Sequence, residues 1–111
     1  MTLGGWLDAR TPSPPAALRD RIDAVLRDDL ERDAAVLFDT CLAAAEQLVR
    51  RLLNENATAR ESALDLLAAD ALVTYAFEAA SEQPDGLANR ASAAMTRIAA
   101  LGLDVSPRVP A

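Results

Sequence analysis

The side chains in this chain that could do chemistry are almost all carboxylates. Its 111 residues include 17 Asp and Glu against 11 Arg, with no Lys, no His and a formal net charge of −6. The densest group is Asp28-Asp29-Leu30-Glu31-Arg32-Asp33. Clustered carboxylate oxygens are the donors that hard divalent cations take, so Asp28, Asp29 and Asp33, with Asp70 further on, are the metal candidates. The competing reading of the same patch is a charged, solvated junction between helices. No imidazole is present to act as a general base near neutral pH or to hold zinc. The Glu-x-x-His motif of carboxylate di-metal bundles therefore cannot occur. A Gly-rich phosphate loop is also missing. The single Cys41 excludes an internal disulfide. It falls at a core-facing helical spacing with no His to activate it, and reads as a buried structural thiol. No catalytic residue and no organic cofactor are assigned.

Asp70 lies in the most apolar stretch of the chain, Ala63 to Ala80, where 14 of 18 residues are apolar and only Asp65, Asp70, Thr74 and Glu78 intervene. A helix apolar over most of its circumference has to be wrapped by other helices. Asp70, Thr74 and Glu78 share one stripe, whereas Glu61 and Asp65 fall about 140° or more away at 3.6 residues per turn. At least one of these polar stripes must therefore face a neighbouring helix. A carboxylate placed there needs a partner, and Arg90 or Arg97 is the expected one for Asp70.

The elements around this stretch follow from periodicity and punctuation. Hydrophobic residues make up 51% of the chain but aromatics only 4%, so the core is Leu, Val and Ala. No segment alternates in the manner of a strand, and the fold class is all-α. The expected architecture is a bundle of four main helices, at about 14–27, 30–53, 59–82 and 86–101, with the third helix central. Residues 1–13 form a lead-in, 14–102 a single domain and 103–111 a Pro-punctuated tail.

Ser13 and Pro14 suit an N-cap and first helical turn. Asp28 or Asp29 would cap the second helix after a kink. Thr58 with Glu61 matches a capping box. Pro84-Asp85-Gly86 reads as a turn, and Gly102 as a helix stop. Arg50-Arg51 suits the C-terminal end of a helix and is too small a basic patch for nucleic acid. The first ten residues lack the basic and apolar regions of a signal peptide. The three carboxylates in the central run argue against a membrane span, and the expected location is the cytoplasm.

The segment LLAADALVTYAFEAASE, Leu66 to Glu82, resembles a helix of polyprenyl diphosphate synthases that reads roughly LLAGDALLALAFELLAE. Asp-Ala-Leu at 70–72 and Ala-Phe-Glu at 76–78 correspond in type and spacing. The resemblance implies an all-α fold and a Mg²⁺-bound diphosphate or prenyl ligand. Those enzymes work through two DDxxD motifs, whereas Asp28, Asp29 and Asp33 are spaced DDxxxD and no second motif follows. An accessory relative without the catalytic machinery is what it implies.

The apolar faces of the second and third helices exceed what short neighbours would cover, which points to assembly. The expected function is a non-catalytic helical interaction module. Its partner would be a second copy of itself or another helical protein. Phe38, Leu42, Val49 and Leu53 are the expected interface.

Overall fold

The computed structural model describes residues 1–55, 60–83 and 86–104. Five helices account for most of them: α1 (Leu3–Asp8), α2 (Ala16–Leu26), α3 (Leu37–Glu55), α4 (Arg60–Ser81) and α5 (Leu87–Asp104). Among the described residues there is no strand, only an isolated antiparallel bridge between Thr2 and Asp33. No helix there is long and apolar enough to cross a membrane. The expected caps at Thr58 and Glu61, the Pro84-Asp85 half of the turn and the tail from Val105 lie outside what is described.

The first eight residues contribute a short helix where the sequence suggests only a lead-in. Thr2 caps it by accepting a hydrogen bond from the Gly5 amide at 3.0 Å. Leu3, Trp6 and Leu7, at i, i+3 and i+4, all point into the core and are buried. Two backbone bonds clip the segment to the junction ahead of α3: Leu3 N–H to Arg32 O at 2.8 Å, and Ala34 N–H to Met1 O at 2.9 Å. Gly4 permits the close approach, because a Cβ there would lie 3.2 Å from Leu30 O.

The α2 helix begins at Ala16, two residues later than Ser13 and Pro14 suggest. Pro15 is extended (φ −53°, ψ 147°), and its ring keeps Pro14 out of the helical region. The break between α2 and α3 is real. Arg27 takes φ 47° and ψ −117°, a conformation that L-residues seldom adopt, and stops α2. Two 3₁₀ turns follow, Arg27–Glu31 and Ala34–Val36, before α3 starts at Leu37. The capping carboxylate is Asp33, which accepts from the Ala35 amide at 2.8 Å, and not Asp28 or Asp29.

The two longest helices, α3 and α4, pack along each other, and each also touches α2 and α5. Leu37, Cys41, Ala45 and Leu48 of α3 meet Ala68, Ala69, Leu72 and Ala76 of α4, joined by Ile22 and Leu26 of α2. The alanines on α4 let the backbones come close, and the larger α3 side chains fill the space between. The C-terminal helix α5 covers this pair more thinly. Among its described side chains, only Ala94 and Leu101 are buried. It continues through Gly102 to Asp104, so that glycine sits within the helix and does not end it.

Candidate functional site

The thin cover of α5 leaves an apolar groove of about 460 Å³ between it, α3 and α4. Leu42, Val49 and Leu53 of α3 line one wall, Leu66 and Val73 of α4 the second, and Ile98 and Leu101 of α5 the third. The small residues Ala45, Ala69 and Gly102 also line it, and a Cβ added at Gly102 would meet nothing within 4 Å. Leu53, 45% exposed, and Leu66, 60% exposed, stand at its mouth. Leu67 and Met95, on neighbouring faces of α4 and α5, are also exposed.

Two carboxylates belong to this groove. Glu46 is largely enclosed, and its Oε1 is sheltered from solvent with Arg97 Nε as its charged neighbour, outside hydrogen-bonding alignment. Asp70 stands on the α4 wall, exposed to solvent. Arg97, one of the partners expected for Asp70, is thus turned to Glu46, and Arg90 bonds Gln83 at 3.5 Å. The polar stripe that faces another helix is the Asp65 one. Asp65 pairs with Arg21 of α2 in a largely enclosed contact, while Asp70, Thr74 and Glu78 lie on the exposed face.

Three of the four metal candidates lie in the junction before α3, and the fourth lies on α4. Asp28 is exposed, Asp29 pairs with Arg32 at 3.3 Å, and Asp33 is committed to its cap. Among the described residues, no three of His, Cys, Asp or Glu stand together in a way that could hold a metal ion. Of the four expected interface residues, Val49 and Leu53 line the groove. Leu42 also lines the groove and is fully buried within the single chain. Phe38 is half-buried, with its ring edge-on to Phe77 at 5.9 Å. Both are therefore occupied by the chain's own packing.

A second cluster, absent from the sequence reading, ties α1 to the end of α4. Trp6 donates its indole N–H to Glu82 at 3.1 Å, and its ring meets Tyr75 edge-on at 6.0 Å. Arg10 lies 3.6 Å from the Trp6 ring centroid and bridges to Glu82 at 3.3 Å. Burial pushes the Tyr75 phenol up, and the nearby Glu78 adds to this against the opposing Arg19 and Arg10. These groups satisfy one another, and the cluster is a structural clasp. Cys41 is fully buried, and burial, with Asp29 assisting, pushes its thiol up to about 12. A protonated, enclosed thiol is a poor nucleophile.

Neither the family models nor the curated proteins nor the solved structures with which the chain was compared give a match.

Proposed function

We propose that this chain is a non-catalytic helical interaction module that self-associates as a homodimer, with α2 to α5 as a four-helix bundle centred on α4 and α1 closing one end. The observation that carries this reading is the apolar groove with two half-exposed leucines, Leu53 and Leu66, at its mouth. Apolar side chains grouped beside a depression mark an interaction surface more often than leucines scattered singly do. Covering both leucines on both copies of a symmetric dimer contributes about 3–6 kcal/mol, from 1.5–3 kcal/mol per fully buried leucine. Association itself costs about 4–15 kcal/mol. The walls of the groove must therefore be covered along with its mouth for a dimer to form. Light scattering over a range of concentrations tests the reading. A mass near twice 11.8 kDa supports it, and 11.8 kDa throughout refutes it.

One observation favours a second reading. Asp70 stands beside the apolar walls of the groove, the arrangement expected for a prenyl or diphosphate ligand held with Mg²⁺ as in the isoprenoid synthases that Leu66–Glu82 resembles. Such a ligand binds only the folded chain and must raise its melting temperature. Stabilisation by Mg²⁺ with pyrophosphate, lost in Asp70→Asn, is its signature. No shift at millimolar ligand counts against it.

A further inference from the structure

We infer that residues 105–111, the stretch that follows α5, dock in the groove between α3, α4 and α5, with Arg108 set against Asp70. This goes beyond the self-association proposed above and does not require it. The occupant belongs to the same chain, and a second copy that covers the groove has to displace it.

Charge selects this occupant. The groove is apolar apart from Glu46 and Asp70, both carboxylates. Glu46 already has Arg97 beside it, whereas among the described residues no cation pairs with Asp70, which is exposed on the α4 wall. A segment that suits this surface is apolar and carries one cation. Residues 105–111 read Val-Ser-Pro-Arg-Val-Pro-Ala, and their single charged side chain is Arg108.

Reach and composition agree with charge. Leu101 and Gly102 line the groove, and α5 ends two residues later at Asp104. Four extended residues span about 13 Å, which lets Arg108 turn back from Asp104 along the groove. Asp70 stands one helical turn, about 6 Å, along α4 from Leu66 at the mouth. Val105 and Val109 supply apolar side chains for the walls. Pro107 and Pro110 have no N–H to leave unsatisfied against an apolar surface. Their fixed φ also reduces the backbone freedom lost on docking.

The test is disulfide trapping in the full chain. One double variant carries Ile98→Cys with Val109→Cys, the other Ala99→Cys with Val109→Cys. Positions 98 and 99 are neighbours on α5, equally within reach of residue 109, but Ile98 lines the groove and Ala99 is exposed. Cys41 is fully buried and does not compete. The expected result under mild oxidation is closure within one chain at least about tenfold faster for the groove pair than for the exposed pair. Adding Arg108→Glu should bring the groove pair down to the rate of the exposed pair. Leu66→Cys with Val109→Cys, at a 60% exposed position, repeats the test without touching a half-buried site. Equal rates for groove and exposed pairs overturn the inference, as does a bond formed between chains. A groove preference that survives Arg108→Glu overturns the pairing with Asp70. Sedimentation of the reduced parent reads self-association separately. A monomeric parent with fast groove closure refutes the dimer and keeps the docked segment, and a dimer with equal closure rates does the reverse.

Discussion

Replacing Trp6 with alanine should cost this protein about half its stability. The residue is 4% exposed and lies on a helix of only six residues. Removing a buried Trp side chain costs about 3–5 kcal/mol in transfer and cavity terms. The edge-on contact with Tyr75 adds about 0.5–1.5 kcal/mol, and the Arg10 guanidinium over the ring about 0.5–1 kcal/mol. Some of this overlaps, so the expected loss is about 4–6 kcal/mol, against about 5–15 kcal/mol for a whole domain.

Trp6→Phe separates the contributions. It keeps a ring in the core but deletes the indole N–H, whose acceptor Glu82 is half-exposed and can be rehydrated. That variant should lose only about 1–2 kcal/mol, the usual net value of a hydrogen bond plus a small volume change. Urea unfolding followed by far-ultraviolet circular dichroism reads both. A Trp6→Ala loss below about 1 kcal/mol would mean that α1 is not docked on the core, and the reasoning that joins residues 1–10 to the bundle would fail.

Three other perturbations follow from the same structure. Breaking the Arg21–Asp65 pair with Asp65→Asn should cost about 1–3 kcal/mol, because Arg21 is left partly enclosed without its counter-charge. The exchanged pair Arg21→Asp with Asp65→Arg should recover part of that in a double-mutant cycle. Arg27→Gly should raise stability by up to about 1 kcal/mol in urea unfolding, since glycine adopts φ 47° without steric cost; a loss would show that Arg27 is not strained. The Cys41 thiol, ordinarily ionising near 9.0, is pushed up to about 12 in the folded chain. The unfolded chain then releases its proton first as pH rises. Stability should be intact below about pH 9 and fall between about pH 9 and 12, by up to about 1.4 kcal/mol per unit from this group. The slope should shrink in Cys41→Val, and in the native state the thiol should resist alkylation at pH 8.

The helical class was legible because the apolar residues of α3 recur at helical spacing from Leu37 through Cys41 and Ala45 to Leu48. The break after α2 was legible only from length, since an unbroken helix from Pro14 to Leu53 would run about 60 Å, and its mechanism was not. A positive φ at Arg27 comes from how the chain must turn to dock α3, and arginine carries no sign of it. Helix α1 was hidden by Gly4 and Gly5, poor helix formers that tertiary contact overrides. The usable signal was Thr2 ahead of Leu3, Trp6 and Leu7, a cap followed by an i, i+3, i+4 triplet. Periodicity showed that polar residues on α4 form two stripes, yet it could not say which one meets another helix. The position of Arg21 on α2 decides for Asp65, and that depends on how helices distant in sequence cross. The groove was legible only as an excess of apolar surface. Its walls come from three helices distant in sequence, and how those helices pack is not written in the periodicity of any one of them.

The self-association proposed for this chain would cover the apolar groove with a second copy. Sedimentation equilibrium of the parent beside Leu66→Arg tests it most directly. The expected result is a concentration-dependent dimer of the 11.8 kDa chain for the parent and a folded monomer for the variant. Equal masses for the two proteins at every concentration, whether both monomeric or both dimeric, would contradict it.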